Sequence, residues 1–261
     1  MSEPADKRKA ARPAKVDSTL SKGLLVLEAL ARSRDGKGVS ELSRELGLTK
    51  SNTFRLLQTL TTLGYAQNSD SKAYLATMKV WQVGQAVVEN LRLPEIAAPE
   101  LQRLSKETGE TIYLAVPDDI SVIYVEKIDS TKPIRSWTPK GGSAPMHCVG
   151  TGKALLAARY DLLRDRIRNH LTKFTDKTIT SIKRLDADMA ATQARGYAID
   201  TGEYRERILS FGAAIRLPNG DPIAAVGVSA PDVNVPEGRS EEICELIRHA
   251  AEGLTRKLEL G

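Results

Sequence analysis

Cysteine is scarce. The 261 residues hold two, Cys148 and Cys244, far apart along the chain. Two such thiols make no disulfide framework and fit a reducing cytoplasm. Histidine is nearly as rare, and His147, His170 and His249 are scattered. Cys244 and His249 stand at i, i+5, a poor spacing for ligands on one helix face, so no metal and no cofactor is expected. Aromatic residues make up 5% of the chain, too few for a platform that stacks single-stranded nucleic acid. No apolar run reaches the roughly 18 residues of a membrane span, so no membrane partner is expected. The N-terminus is basic but lacks an apolar h-region, which argues against a secretory signal. With 41% hydrophobic residues the chain needs no staples, and its length suits two domains.

What is there begins at residues 40–76, VSELSRELGLTKSNTFRLLQTLTTLGYAQNSDSKAYLA less its first letter. Ser40 is placed to cap a short helix and Glu41 to support its positive end. Leu42 and Leu46, at i, i+4, give it one apolar face. Gly47 breaks it where a left-handed residue is wanted. Leu48 fills the corner, and Thr49 starts a second helix with Phe54, Leu57 and Leu60 inward and Leu56 and Leu63 on the flank. Its other side carries Lys50, Ser51, Asn52, Arg55, Gln58, Thr59 and Thr62, short polar groups and two cations fit to reach base edges and phosphates. Gly64 ends it, and a hairpin from Tyr65 turns near residues 68–71 and returns through Lys72. The pattern predicts a winged helix-turn-helix. Agreement of break, polar face and wing outweighs the plainer reading, a solvated helix pair.

Charge follows this division. Residues 1–76 hold 13 Lys and Arg against 8 Asp and Glu, the whole chain 38 against 33, so residues 77–261 balance at 25 each. The net positive charge lies on the side expected to meet phosphate. Part of it sits in the tail, residues 1–17, whose composition predicts disorder.

Further along, residues 18–33 read as a scaffold helix with Leu20, Leu24, Leu25, Leu27, Leu30 and Ala31 apolar. Arg34–Gly38 is a loop. Thr77 caps a linker helix over 78–92 that has apolar groups on more than one face, as at a protomer contact. Pro94 and Pro99 bracket the start of the helix ending at Gly109. From about residue 110 the period drops to two. TIYLAVP and SVIYVEKI, joined at Asp118–Asp119, predict strands, as do PIRSWTP, YAID, ILSFGAAIRL and PIAAVGVSA, the last two joined at Pro218–Asp221. Helices are expected from Gly150 and over 161–170, 184–195 and 237–259. Strands with hairpins and no βαβ series give an α+β domain on an antiparallel sheet.

The loop GGSAPMHCVGTGKALLA invites a phosphate-loop reading, which would need Gly at His147 and Ser or Thr at Ala154. What remains is a helix start at Gly150, Thr151 and Gly152, either an anion cradle or a glycine-rich packing site. His147 and Cys148 are adjacent with no third orienting group, so no nucleophile is expected. Asp200, Glu203 and Glu206 follow a strand without a paired partner, and loop solvation is the commoner explanation.

From about Leu20 to Leu258 the chain resembles the IclR (isocitrate-lyase regulator) family of bacterial transcription factors. The resemblance is carried by LGLTKSNTFRLLQTLTTLGY, PELQRLSKETGETIYLAV, GGSAPMHCVGTGKALLA, RGYAIDTGEY and DPIAAVGVSAP, in order. It implies a winged helix-turn-helix domain at 18–76, a linker at 77–93 and a GAF-like effector-binding domain at 94–261. It implies a cytoplasmic, dimeric or tetrameric, non-enzymatic regulator of double-stranded DNA, with a near-palindromic operator read by Lys50, Ser51, Asn52, Arg55, Gln58, Thr59 and Lys72. It implies a small metabolite held by Gly150, Thr151, Asp200, Ser210 and Ser229, with Ser136 and Trp137 nearby; helix-start amides and hydroxyls suit a carboxylate, and Asp200, accepting from a ligand hydroxyl, suits a hydroxy or aromatic acid. Where the family often has Glu-x-x-x-Gly-x-x-Cys this chain has EYRERILS, so Arg207 replaces a glycine and Ser210 a cysteine. Arg207 is expected to crowd the pocket or add charge, and Gly227 stands where a pocket serine can occur. The alternative is a metabolite-binding protein or enzyme tethered to DNA by its N-terminal module.

Overall fold

The computed structural model describes residues 17–69, 73–89, 92–136 and 138–259. Lys72, Trp137 and the tail at 1–16 lie outside them. Two compact units form, Met1–Asn90 and Leu91–Gly261.

The first unit opens with α1 (Ser18–Ala31), capped by Asp17, whose carboxylate accepts from the Thr19 and Leu20 amides. Then come α2 (Val39–Glu45) and α3 (Lys50–Thr62). The wing pairs β1 (Ala66–Asn68) with β2 (Tyr74–Ala76), antiparallel, and Lys37 adds an isolated bridge to Tyr74. α4 (Met78–Glu89) follows. Gly47 takes φ +64, the left-handed turn expected between α2 and α3. Three expectations shift. Gly38, not Ser40, occupies the N-cap of α2, and no side chain caps that end. On α1 the buried groups are Val26, Ala29 and Leu30, while Leu20, Leu24 and Leu25 are exposed. On α3 the buried stripe is Thr53, Leu56, Leu57 and Leu60, an i, i+3, i+4, i+7 series. Phe54 lies one residue, about 100°, beyond that stripe, and it faces outward.

The second unit is one six-stranded sheet between two helical layers. Its strands are β3 (Thr111–Asp118), β4 (Ser121–Ile128), β5 (Ser143–Pro145), β6 (Ala198–Asp200), β7 (Ile208–Arg216) and β8 (Pro222–Pro231). Their spatial order is β5-β4-β3-β8-β7-β6, antiparallel throughout. Alternation sorts the side chains: Ile112, Leu114, Phe211, Ala213, Val226 and Val228 pack under α5 (Leu93–Thr108) and α9 (Arg239–Glu259). Tyr113, Ala115, Tyr124 and Ala225 pack under α6 (Gly150–Ala158), α7 (Tyr160–Ile167) and α8 (Ile182–Arg195). α5 starts before its prolines, with Pro94 in the first turn and Pro99 within the helix. PIRSWTP forms no strand among its described residues. The edge position beside β4 goes to β5, after the Gly141–Gly142 turn, where Gly141 donates to the Tyr124 carbonyl. Pro133 and Pro139, six positions apart, take a ladder donor from each end of that segment.

Candidate functional site

α3 presents Lys50, Ser51, Arg55, Gln58 and Thr59 to solvent, with Asn52 half-buried. Thr49 caps it, accepting from the Asn52 amide at 3.3 Å. Its far end is held by α4. Lys79 Nζ donates to the Leu63 carbonyl at 2.7 Å and lies over the Tyr65 ring, a cation at the negative end of a helix. Thr77 Oγ1 donates to the Gly64 carbonyl at 2.6 Å. A cleft between α3 and the wing is lined by Arg55, Gln58, Thr59, Thr62 and Asn68. A rigid helix with a polar outer face beside a hairpin is the geometry that lays side chains into a major groove.

In the second unit the sheet register assembles a polar row. Thr111 pairs with Ser229, Ser229 with Ser210, and Ser210 with Asp200, across β3, β8, β7 and β6. The next row on that face is Tyr113, Gly227, Gly212 and Ala198. Its two glycines make a trough, and the start of α6 lies in it. A Cβ on Gly212 would stand 2.5 Å from the Gly150 carbonyl, and one on Gly227 2.5 Å from Thr151 Cγ2. A Cβ at 227 would also stand 2.7 Å from the Phe211 carbonyl, so a serine there would require Thr151 and the β7 backbone to move.

Ser136, Thr151, Asp200, Ser210 and Ser229 line one cavity, with Tyr113, Tyr124, Tyr204, Arg205 and Gly227. Its free volume is about 30 Å³, room for about two waters. The Tyr113 phenol donates to the Thr138 carbonyl and accepts from its amide, both at 3.2 Å, and so pins the segment after Ser136 beside the cavity. Gly150 is not on the lining. Its amide donates to Ser210 Oγ at 2.9 Å, and Ser210 Oγ donates to Asp200 Oδ2 at 2.7 Å. The expected cradle at this amide is filled by the protein's own hydroxyl. Asp200 Oδ1 accepts from the Gly202 and Glu203 amides at 2.9 and 2.6 Å. Burial raises the Asp200 pKa, and these donors oppose the rise. Thr151 Oγ1 differs: it is buried, faces the Tyr124 phenol, and has no partner at hydrogen-bond geometry.

Beneath the cavity lies a group that sequence reasoning missed. Lys153 is 1% exposed. Its ammonium donates to the Ile199 carbonyl at 2.7 Å and to Glu203 Oε1 at 2.6 Å, and it pairs with Asp188 at 2.8 Å. Burial pushes the Glu203 carboxyl up to about 7 against the pull of Lys153, and Glu203 Oε2 is buried without a partner. Asp200 and Glu203 are thus not solvated loop residues; of the three acids only Glu206 is exposed. The available signal was one lysine inside the otherwise small and apolar run GTGKALLA.

Arg207 does not crowd the cavity. It is 72% exposed and pairs with Asp232 at 3.2 Å. Its φ of +62 is the backbone that makes glycine common there. His147 Nε2 bonds the Thr172 carbonyl and burial lowers its pKa, while burial pushes the Cys148 thiol up, beyond the reach of thiolate chemistry at neutral pH. Among the described residues no group of three His, Cys, Asp or Glu is placed to hold a metal, and no helix is long and apolar enough to cross a membrane.

A winged helix-turn-helix joined to an antiparallel-sheet domain with an internal cavity defines a class, the two-unit DNA-binding regulator. Two family signatures match: the bacterial transcriptional regulator IclR C-terminal domain over residues 85–256 and the IclR helix-turn-helix domain over 19–70. The chain belongs to the IclR family of transcriptional regulators. It is 32% identical to the HTH-type transcriptional regulator KdgR of Escherichia coli, over 95% of this chain and 94% of that one. It is 31% identical to the transcriptional repressor IclR of Escherichia coli, over 91% and 88%. An IclR homolog from Microbacterium hydrocarbonoxydans, solved in complex with 4-hydroxybenzoate, shares the fold. Its TM-score is 0.80 at 23% identity, over 92% of this chain and 99% of that one.

Proposed function

We propose that this regulator reads a near-palindromic operator through α3 and is controlled by a small carboxylate held in the cavity beside Thr151. Lys50, Ser51, Asn52, Arg55, Gln58 and Thr59 are the reading residues, with Lys72 of the wing near the phosphate backbone. Two copies act together. The exposed Leu20, Leu24 and Leu25 of α1 and Met78, Trp81 and Val83 of α4 supply apolar surface for a second protomer. The effector selects one arrangement of the reading heads, because a ligand equally bound to both would shift nothing.

One observation carries the effector reading. The Thr151 hydroxyl is buried on the cavity wall with only the Tyr124 phenol facing it and no bond of good geometry, whereas Asp200 and Ser210 of the same wall are bonded within the protein. A buried unpaired hydroxyl costs stability unless a ligand or water meets it. Ser136 and Ser229 add hydroxyls, the tyrosines add ring faces and phenols, and Arg205 places a positive charge at the lining. This chemistry suits an organic acid bearing a hydroxyl or an aromatic ring. At about 30 Å³ the cavity is far below the roughly 300 Å³ of ordinary ligand sites, so binding widens it.

The test is calorimetry with a panel of hydroxy, keto and aromatic acids, 4-hydroxybenzoate included, beside Thr151→Val and Ser229→Ala. An acid that alters operator binding is expected to lose about tenfold in affinity for Thr151→Val, the value of one hydrogen bond. Unchanged affinity in both variants would remove the cavity from the account.

A further inference from the structure

The outer face of α3 carries one large apolar side chain in its N-terminal half. Phe54 is 43% exposed and takes no part in the core cluster beneath the helix. Of its helical neighbours at i−4, i−3, i+3 and i+4, Lys50, Ser51 and Gln58 are exposed and only Leu57 is buried. The inward stripe is already filled by Thr53, Leu56, Leu57 and Leu60. The buried stripe is complete without this ring, and nearly half of Phe54 stays in water.

The position is also the one where recognition helices meet bases, since their N-terminal residues contact base edges. Among the edges displayed in a major groove, thymine alone offers an apolar group, its C5-methyl, and phenylalanine is among the side chains that pack on it. Lys50 and Ser51 one turn before the ring and Gln58 one turn after it, with Arg55 beside them, can bond to purine edges and phosphates and so hold the ring near one base step.

We propose that Phe54 packs on a thymine methyl and specifies thymine at one position of each operator half-site. This rests on the reading that α3 lies in a major groove. Leu63, also exposed, lies at the far end of α3, and the remaining exposed apolar groups of this unit lie on α1 and α4, outside the reading helix.

The experiment uses the full chain and an operator obtained by selection from a random DNA pool. Each thymine of the operator is replaced in turn by deoxyuridine, which deletes only the methyl. At one position per half-site the wild type is expected to lose about fourfold in affinity, the transfer value of one methyl group. Phe54→Ala binds more weakly but treats thymine and deoxyuridine alike there, and Phe54→Leu, which keeps an apolar contact and safeguards folding, retains part of the discrimination. The proposal is overturned if the wild type senses no methyl, or if Phe54→Ala and Phe54→Leu sense it as strongly as the wild type. It is also overturned if Phe54→Ala changes the oligomeric state while methyl sensing persists, which would assign the ring to a protein contact. Failure to enrich any sequence would refute the groove reading itself, a result distinct from a missing methyl effect.

Discussion

The two units use polar residues in opposite ways. On α3, Lys50, Ser51, Arg55 and Gln58 stand in water, above a small core of leucines. In the second unit, Asp200, Glu203 and Lys153 are withdrawn from solvent, Ser210 is half-buried, and the four are bonded to one another. An exposed set waits for an external partner and contributes little to the fold. A buried set must be satisfied within the protein, and it fixes the cavity wall while doing so. The first unit is therefore expected to tolerate substitution of its functional residues and lose only binding. The second is expected to lose structure along with function.

The sharpest break of this comparison is Lys153→Met. It leaves the buried Glu203 and the half-buried Asp188 without their cation, and removing one partner of a buried pair costs about 3–5 kcal/mol. Hydrogen exchange should show α6, β6 and the segment through Glu203 losing protection, with α3 unchanged. Equal protection in variant and wild type would mean that water reaches this group.

Next in size is the pH dependence of the same group. The Glu203 carboxyl is raised from 4.5 to about 7 in the folded protein, so the folded state holds its proton where the unfolded state has lost it. That stabilisation is full below the unfolded value and fades as pH rises through about 7. Urea unfolding between those limits should show stability falling with pH, and Glu203→Gln should flatten the slope. A slope left intact in the variant would place the proton elsewhere.

The smallest structural effect belongs to the exposed set. Arg55→Ala should leave urea unfolding within about 0.5 kcal/mol of wild type and weaken operator binding by about 1–3 kcal/mol. Gel-shift titration at fixed salt checks this, and unchanged binding would take Arg55 out of the reading face.

The same contrast decides what could be read from the chain. The helix-turn-helix was legible because α2 and α3 are short amphipathic helices punctuated by a glycine at φ +64, all local signals. Even there, Phe54 and Leu56 were exchanged between surface and core, since hydrophobicity alone does not distinguish a helix flank from its centre. In the second unit most strands announced themselves by alternation, and PIRSWTP misled because alternation does not show which segment takes the edge beside β4, a place that β5 fills. Register was not legible. That Ser229, Ser210 and Asp200 form one row, and that Gly150 donates to Ser210, depends on pairings between residues as much as 60 positions apart. Lys153 stayed hidden for the same reason, its partners lying on α8 and in the turn after β6. Residue types alone pointed to Thr151 and Asp200, while Ser210 and Ser229 became candidates only through resemblance to the family.

The central claim is that an exposed helix face reads DNA sequence under the control of a buried cavity. The most direct measurement is selection of bound sequences from a random DNA pool at near-physiological salt. The account predicts an enriched near-palindromic motif, with enrichment lost in Arg55→Ala. No enrichment, with binding that only fades as salt rises, would show charge attraction without readout and would contradict it.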